Sequence, residues 1–384
     1  MSIALERAPI SLLLEKRGLD RNLDPWRDRL ERVTASEVEK ALSTPAGTYH
    51  IEKLLALISP AAQGFLESMA QTARDLTLQR FGRNMRLFAP LYLSSYCVNR
   101  CVYCGFNAGC SCGRVRLSVE EALEEARVVS EHGIQDLLLV SGEDKNHVSV
   151  AYLERLAQRL RHRFSFVAME IYQLEKEAYA RLFQAGVEGV TLYQETYDRD
   201  IYEKMHPSGP KADYERRLRG ADDIAQAGMR EVGLGVLLGL ADWRTETLAL
   251  AEHAHHLMKR YWQSHLSISF PRLKPAPGVS ASQFPFLLED KELVQMILAL
   301  RLCFADVGFV LSTREPAFLR DHLVKLGITR MSAGSKTNPG GYQHPDEDSG
   351  QFHVDDQRLP QEVAAMLREK GLEPVWKDWD KAFL

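Results

Sequence analysis

The sequence predicts an α/β fold: a (β/α)8 TIM-type barrel with an N-terminal helical extension and a short C-terminal extension. From residue 87 onward, short apolar runs rich in β-forming residues alternate with longer stretches of helical pattern. Eight such units follow one another, and this alternation implies parallel strands joined by right-handed crossovers. Eight parallel strands suggest a closed barrel, with a doubly wound sheet as the alternative.

The eight strand candidates occupy residues 87–95, 136–142, 164–171, 189–196, 231–240, 265–273, 308–315 and 327–334. Helical patterns fill the intervals, near 118–132, 149–162, 174–185, 213–227, 245–259, 290–304 and 316–325. Ser118 and Glu121 have capping-box spacing, and Gly133, Gly186 and Gly228 follow helix ends. The chain therefore divides into a helical extension (1–86), the barrel (87–340) and a C-terminal extension (341–384) expected to pack on the barrel.

Composition argues against several classes of partner. The 384 residues are 45% hydrophobic and 26% charged, with a net charge of −4, so no basic field for nucleic acid or anionic lipid is expected. The longest apolar run, 232–240, is too short to cross a bilayer, and the leucines at 12–14 are soon followed by charge, unlike a signal peptide. We expect a cytoplasmic protein whose six cysteines stay reduced, which favours metal chemistry over disulfides.

The barrel interpretation predicts the position of the active site, because catalytic groups of this fold stand at the carboxyl ends of the strands. Chemically capable residues occur at nearly every predicted strand end. In chain order they are Cys97, Glu143, Tyr172, Glu195, Asp242, Arg272, Arg314 and Ser335. Any one of them alone would pass as a solvated loop residue, but the set favours a single site.

Three cysteines after the first predicted strand, Cys97, Cys101 and Cys104, have the spacing C-x3-C-x2-C. Three thiolates can each bind one iron of a [4Fe–4S] cubane and leave the fourth iron without a protein ligand. Such an open metal position is what a substrate-binding centre requires. The alternatives are a zinc loop or unrelated reduced thiols, but the spacing is unusual for zinc and no histidine pair follows at zinc-finger spacing.

The other cysteines have a different interpretation. Cys110 and Cys112 lie in a glycine-containing loop and are interpreted as structural or incidental thiols. A fourth ligand from Cys110 would close the cluster and indicate an iron–sulfur electron carrier instead of an enzyme, an alternative that the barrel pattern disfavours. Cys303 falls on an apolar helix face, which predicts core packing.

The C-x3-C-x2-C motif, with an aromatic residue before its last cysteine, resembles the radical S-adenosylmethionine (SAM) superfamily. The resemblance implies that the methionine amine and carboxylate chelate the unique iron, and that one-electron reduction splits SAM into methionine and a 5′-deoxyadenosyl radical. It also implies that Tyr103 lies beside the adenine. The stretch SGED at 141–144 matches the methionine-binding position, with Glu143 as its acid, although Ser141 replaces one of two usual glycines. An exposed turn acid is the alternative for Glu143.

Further stretches are YQETY at 193–197, GPKADY at 209–214, SFPRL at 269–273, LSTRE at 311–315, MSAGS at 331–335 and EPVWKDWD at 373–380. Their order and content resemble the tyrosine lyases of bacterial thiazole biosynthesis, the 2-iminoacetate synthases, from about residue 50 to the end of the chain. The tyrosine lyases of [FeFe]-hydrogenase maturation are similar but carry C-terminal cysteines for a second cluster. No cysteine follows Cys303 here, which favours the thiazole branch.

This resemblance implies cleavage of the Cα–Cβ bond of L-tyrosine to dehydroglycine (2-iminoacetate) and p-cresol. Arg314 is expected to pair with the substrate carboxylate, with Arg272 as second candidate, because a guanidinium fork matches a carboxylate. His265 is expected to handle the phenol proton, with a packing histidine at a strand start as the alternative. Glu195 and Arg217 fit contacts to the ribose or carboxylate of the cofactor, although Arg217 would equally suit a solvated helix face.

Other interpretations remain at this point. The same fold and cluster would serve a lyase acting on tryptophan or another aromatic substrate. His253, His255 and His256 form a possible cluster, but their charged helix predicts a solvent-facing surface. The family resemblance implies a complex with thiazole synthase. We also expect an electron donor such as flavodoxin or ferredoxin, and the charge balance predicts no nucleic acid or membrane partner.

Overall fold

The computed structural model describes residues 8–110, 113–279, 283–344 and 350–377. The helices are labelled α1 (Ile10–Arg17), α2 (Asp24–Arg32), α3 (Ala35–Ser43), α4 (Ile51–Ile58), α5 (Leu66–Phe81), α6 (Val119–Glu131), α7 (Val150–Leu160), α8 (Lys176–Ala185), α9 (Arg199–Met205), α10 (Tyr214–Gln226), α11 (Trp243–Arg260), α12 (Asp290–Cys303), α13 (Ala317–Leu323) and α14 (Pro360–Glu369). The strands are β1 (Asn84–Ser94), β2 (Asp136–Ser141), β3 (Phe166–Glu170), β4 (Gly189–Thr191), β5 (Glu231–Gly235), β6 (His265–Ser269), β7 (Gly308–Leu311), β8 (Arg330–Ser332) and β9 (Glu373–Val375).

Strands β1 to β8 form a closed parallel barrel. Consecutive strands pair in chain order, and β1 pairs with both β2 and β8. The predicted (β/α)8 barrel is therefore confirmed, and the doubly wound sheet is wrong because the first and last barrel strands are hydrogen-bonded to each other. The ninth strand was not predicted. It pairs in parallel with the amino end of β1.

Several predicted strands are too long at their carboxyl ends. β4 ends at Thr191 and β5 at Gly235, whereas the predicted strands extend to residues 196 and 240. Beyond these ends the chain stays largely buried but leaves the ladder, apart from isolated bridges such as the one between Glu195 and Val236. The residues after these strands stay buried because loops cover the carboxyl end of the barrel. The apolar sequence pattern alone therefore does not show where hydrogen-bonded strand pairing ends.

The predicted helix signals are confirmed. The Glu121 N–H donates to Ser118 Oγ at 3.2 Å, and the Glu121 carboxylate accepts from the Ser118 N–H at 2.7 Å, which completes the capping box of α6. Gly186 and Gly228 follow α8 and α10 with φ of 110° and 90°, a left-handed region that glycine adopts without a Cβ penalty.

The helices before the barrel pack on its outer layer, with α4 against α12 and α5 beside it. Lys53 on α4 is buried, and its ammonium group donates to the carbonyl oxygens of Pro45 at 2.8 Å and Leu302 at 2.9 Å. A buried ammonium group is stable only when such acceptors surround it. None of the described helices is long and apolar enough to cross a membrane.

The prediction that His253, His255 and His256 face solvent is wrong. His253 and His256 are buried and His255 is half-buried, because α11 is enclosed by α1, α4 and the barrel. His253 Nδ1 lies 2.8 Å from Tyr197 Oη, and His256 Nε2 lies 3.0 Å from Asp222 Oδ1. The polar residues of this helix therefore satisfy neighbouring helices and loops instead of water.

A buried network of ion pairs fills the amino end of the barrel. Arg330 donates to Glu231 at 2.8 Å and to Asp136 at 2.6 Å, and Arg86 donates to Asp136 at 2.8 Å. The Arg86 and Arg330 guanidinium carbons also lie 5.0 and 5.5 Å from the centroid of the Phe166 ring. These residues come from β1, β2, β3, β5 and β8, so the network joins strands from around the barrel.

We expect Arg330→Met to lower the free energy of unfolding by about 3–5 kcal/mol, because it leaves Arg86 as the one cation beside two buried carboxylates, Asp136 and Glu231. Urea unfolding of both proteins measures the difference. Arg80→Met is the control, since Arg80 pairs with Asp306 at an exposed position and such pairs contribute less than about 1 kcal/mol. Equal losses in the two variants would contradict a structural role for the buried network.

Candidate active site

The loop after β1 carries three thiols into a cavity at the carboxyl ends of the strands. Cys97, Cys101 and Cys104 are free, and all three line this cavity of about 980 Å³, which includes its opening to solvent. Burial raises the pKa of the Cys101 thiol to about 12, against the opposing charge of Lys211. The three sulfur atoms therefore face one common space.

Hydrogen bonds fix this cysteine loop to neighbouring segments. The Val98 N–H donates to the Glu143 carbonyl oxygen at 2.8 Å, and the Val102 N–H donates to the Met205 carbonyl oxygen at 3.1 Å. The Arg114 guanidinium donates to carbonyl oxygens near both ends of the loop. The loop is thus held by backbone contacts that do not depend on the thiols themselves.

Within the described ranges, no three His, Cys, Asp or Glu side chains converge on a single metal ion. The thiolates of a cubane bind different irons and need not converge on one metal ion. The expectation that all six cysteines stay reduced is wrong for Cys110, which takes part in a disulfide, and Cys112 lies outside the described residues. Cys303 is buried in the hydrophobic core, as predicted.

Glu143, just after β2, has one carboxylate oxygen available to a ligand. Its Oε2 accepts from Asn99 Nδ2 at 2.7 Å, and its Oε1 is buried without a hydrogen-bond partner among the described residues. Gly142 permits the close approach to the cysteine loop, because an added Cβ would lie 2.4 Å from the Tyr96 carbonyl oxygen. A buried unpaired oxygen is costly. The position therefore fits a ligand ammonium group, such as the methionine amine of SAM.

Glu195 lies beyond β4 in a buried ionic cluster with two cations. Its φ of 71° is uncommon for a residue other than glycine and marks local backbone strain. Lys211 Nζ lies 2.6 Å and Arg217 Nη2 4.0 Å from Glu195 Oε1. Burial opposes ionisation, but Lys211 and Arg217 hold the pKa of the Glu195 carboxyl below its usual value. Arg217 is buried and lines the cavity, so its interpretation as a solvated helix charge is wrong.

Tyr103 also lines the cavity and donates a hydrogen bond to His206. Tyr103 Oη lies 2.8 Å from His206 Nε2, and His206 Nδ1 lies 2.9 Å from the Tyr202 carbonyl oxygen, which requires Nδ1 to carry the proton. Burial and the charge of Lys211 lower the pKa of His206 to about 3, so the imidazole is neutral. The orientation of the Tyr103 phenol is therefore fixed.

Arg314 and Glu170 line both this cavity and an adjoining one of about 580 Å³. The guanidinium carbon of Arg314 lies 3.4 Å from the centroid of the Phe352 ring, and Arg314 forms no ion pair with any described residue. Burial raises the pKa of Glu170 to about 7, although the charge of Arg314 opposes this rise. A free cation and an ionisable acid thus stand where the two cavities meet.

The structure does not bring His265 or Arg272 into this site. His265 begins β6 in register with Glu231 and is exposed at the amino end of the barrel, opposite the cavity. We therefore do not propose a role for it in the reaction. Arg272 follows β6, but its guanidinium is paired with Glu315 and, at 2.7 Å, with Asp290. It is not available to a substrate carboxylate.

Comparison with known proteins identifies the family. Residues 91–251 match the Radical SAM superfamily, and residues 269–373 match the Biotin and Thiamin Synthesis associated domain. The 2-iminoacetate synthase of Escherichia coli (strain K12) is 42% identical over 94% of this chain and 95% of its own length. That of Salmonella typhimurium is 42% identical over 93% of this chain and 94% of its own length. The chain belongs to the 2-iminoacetate synthase family.

Solved structures agree with membership in the 2-iminoacetate synthase family. A crystal structure of HydG, a maturase of the [FeFe]-hydrogenase, has a TM-score of 0.86 and 34% identity, covering 92% of this chain and 80% of that one. Methylornithine synthase (PylB), with a TM-score of 0.70 and 20% identity, shares the fold. The chain is therefore a radical SAM enzyme and not an electron carrier, and its cofactors are a [4Fe–4S] cluster and SAM.

Sequence reasoning missed four residues of this site. Glu170 ends β3, but the predicted strand continued to residue 171 and led to Tyr172 instead. Lys211 lies in a stretch considered only for its family resemblance, and Asn99 lies inside the cysteine motif. Gln351 follows no recognisable pattern. Of the remaining strand-end residues, Tyr172 and Ser335 line the two cavities, and Asp242 caps α11.

We expect Glu143→Gln to weaken SAM binding by about 10–100-fold, because a charge-assisted hydrogen bond contributes about 1.5–3 kcal/mol. Equilibrium dialysis of the reconstituted protein measures the affinity, and iron content should stay unchanged. Asp144→Asn is the control, since the neighbouring Asp144 carboxylate contacts His147 at 2.9 Å and does not line the cavity. Equal affinity in wild type and Glu143→Gln would remove Glu143 from the cofactor site.

Proposed function

We propose that this chain is a radical SAM tyrosine lyase of the cytoplasm. It cleaves the Cα–Cβ bond of L-tyrosine to dehydroglycine (2-iminoacetate) and p-cresol and thereby supplies the thiazole of thiamine. The observation that carries the proposal is a cavity lined by three free thiols and by Arg314, which has no ion pair within the described ranges and also lines an adjoining pocket. The 2-iminoacetate synthases of Escherichia coli and Salmonella typhimurium support the same assignment.

The residues that would hold the cofactors are Cys97, Cys101, Cys104, Glu143, Glu195, Arg217 and Tyr103. When bound and reduced, the cluster and SAM supply the radical that removes a hydrogen atom from the substrate amine. Glu143 would receive the methionine amine through its unpaired Oε1. Glu195 and Arg217 place a carboxylate and a guanidinium on one wall of the cavity. The carboxylate can accept from ribose hydroxyls, and the guanidinium can donate to them or to the methionine carboxylate. The Tyr103 ring, fixed by His206, provides a flat surface for the adenine.

Arg314 and Glu170 complement the two charges of an amino acid. A guanidinium fork pairs bidentately with a carboxylate, and Arg314 has no ion pair with a described residue to give up. Glu170 would accept the substrate ammonium proton and leave a neutral amine. A carboxyl with a pKa of about 7 is suited to this transfer near neutral pH.

The adjoining cavity fits the aromatic ring of the substrate. Phe88, Leu138 and Phe270 supply apolar walls. Ser269 and Ser332 add hydroxyl groups to the same lining. A largely apolar pocket with a few polar groups is the usual setting for a small aromatic ligand. Arg314 lines both cavities, so a substrate anchored by its carboxylate can reach the ring pocket and the cofactor side at once.

A segment that we call the crossing segment, residues 350–358, covers the carboxyl end of the barrel. The His353 N–H donates to the Pro275 carbonyl oxygen at 3.0 Å, and Lys274 Nζ lies 2.7 Å from Asp355 Oδ2. Phe352 lines both cavities from this segment. These contacts limit access of water, which would hydrolyse the imine product.

Chemistry also suggests two protein partners. Dehydroglycine is an imine that water destroys, so we propose direct transfer to thiazole synthase within a complex. The cluster needs a one-electron donor, for which flavodoxin or ferredoxin is suitable. Failure of this chain to co-elute with thiazole synthase under anaerobic conditions would remove the complex from the proposal.

An anaerobic turnover assay tests the reaction. The protein is reconstituted with iron and sulfide, supplied with dithionite, SAM and L-tyrosine, and assayed for 5′-deoxyadenosine and p-cresol. We expect both products in step, and neither from Cys101→Ala because it lacks a cluster ligand. Deoxyadenosine without p-cresol would contradict tyrosine as substrate, and L-tryptophan would be tested next. Absence of both products from a reduced, four-iron protein would contradict the radical mechanism.

We expect the ratio of p-cresol to 5′-deoxyadenosine to rise as pH increases through about 7. Burial places the pKa of Glu170 there, and only the deprotonated form above it can accept the ammonium proton. Glu170→Gln should abolish the pH step and lower p-cresol formation by about 10²–10⁴-fold. The control is Glu246→Gln, because burial also raises the pKa of Glu246 to about 7 but it lies outside the cavity. If the pH step disappears in Glu246→Gln but persists in Glu170→Gln, the step belongs to Glu246 and not to Glu170.

A further inference from the structure

Gln351 on the crossing segment contacts a thiol of the proposed cluster site. Its Nε2 donates to Cys104 Sγ at 3.4 Å, and its Oε1 accepts from Tyr92 Oη at 2.8 Å. Neither Gln351 nor Tyr92 belongs to the cysteine loop: Tyr92 lies on β1, and Gln351 is far along the chain. One amide therefore connects the barrel wall to a cluster ligand.

The orientation of this amide follows from its two neighbours. Burial raises the pKa of Tyr92 well above its usual value, so its phenol stays protonated and can donate. A cluster-bound Cys104 is a thiolate, which only accepts. A flipped amide would place its oxygen against the thiolate. The arrangement with Oε1 on Tyr92 and Nε2 on Cys104 is therefore the one that satisfies all three groups.

The backbone of Gln351 is also fixed. Its N–H donates to the Thr337 carbonyl oxygen at 2.9 Å. On the other side, a Cβ added to Gly105 would lie 2.8 Å from the Gln351 carbonyl oxygen, so the crossing segment packs directly on the cysteine loop. The next residue, Phe352, stacks on Arg314. The donor thus reaches the sulfur from a segment held on several sides.

We propose that Gln351 is a positioning residue that raises the reduction potential of the cluster by donating an N–H···S hydrogen bond to the Cys104 thiolate. Reduction adds negative charge that is shared with the ligand sulfurs, and a donor at sulfur stabilises the reduced form more than the oxidised form. The corresponding contact at Cys97 is longer, with Asn99 Nδ2 at 3.7 Å. The inference rests on the proposed function only in requiring the cluster, because it concerns the protein before substrate binds.

A redox titration of the full chain, followed by the electron paramagnetic resonance signal of the reduced cluster, tests this role. We expect Gln351→Leu, which keeps similar bulk without a donor, to shift the midpoint potential to more negative values at unchanged iron content. Gln351→Glu should shift it at least as far, since an anionic acceptor replaces the donor. Tyr92→Phe should give a smaller shift in the same direction because the amide loses its anchor.

Gln343→Leu is the control, because Gln343 is exposed. The cluster of this variant should have the same midpoint potential as that of wild type. Equal midpoint potentials in wild type and Gln351→Leu, with four irons in each, would overturn the proposal. If the leucine variant does not retain its cluster, Gln351→Glu decides by the same criterion. The titration contains no tyrosine, so it is independent of the turnover assay. Even if the protein made no p-cresol, the midpoint potentials of wild type and Gln351→Leu could still be compared.

Discussion

Closure of the barrel is the constraint on which the site depends. Because β1 is hydrogen-bonded to both β2 and β8, the carboxyl ends of eight strands are brought around one opening. Residues distant in sequence, from Cys97 to Arg314, then line one cavity. The two ends of the barrel divide the charges between them. At the amino end Arg86 and Arg330 are paired with buried acids, whereas Arg314 at the carboxyl end is left unpaired among the described residues.

At the carboxyl end, loops that follow different strands are hydrogen-bonded to one another. Asn99 shows this most clearly: its Nδ2 donates to Glu143 at 2.7 Å, and its Oδ1 accepts from the Lys211 N–H at 3.0 Å. Gly209 makes the second contact possible, since a Cβ there would lie 2.3 Å from Asn99 Oδ1. The proposed cluster ligands, methionine-binding acid and ribose-binding cluster are thus parts of one hydrogen-bonded unit. A substitution that moves the loop carrying Asn99, Glu143 or Lys211 is therefore expected to displace the other two loops.

The barrel and the cysteine motif were predictable from sequence. Strand alternation has a regular period, and thiols at close spacing have few uses other than metal binding. His265 failed because family resemblance carried it, while its position at a strand start already indicated the wrong end of the barrel. Arg272 and Arg314 were indistinguishable by pattern, since both follow strands. Only the positions of Glu315 and Asp290 show which arginine is occupied. Gln351 depends on contacts across most of the chain, which no local pattern records.

The pairing of β9 with β1 has a consequence for biosynthesis. β1 is translated well before its partners β8 and β9, which follow it by more than 230 residues in the chain. Until then one edge of the growing sheet stays open, and open edges invite pairing with other chains. Contacts of such long sequence separation also slow folding. The crossing segment follows β8 in the chain, so the surroundings of Cys104 are completed only after all eight barrel strands have been made. A nascent chain that lacks β8 and the crossing segment therefore has an unpaired β1 edge and a Cys104 without its Gln351 contact.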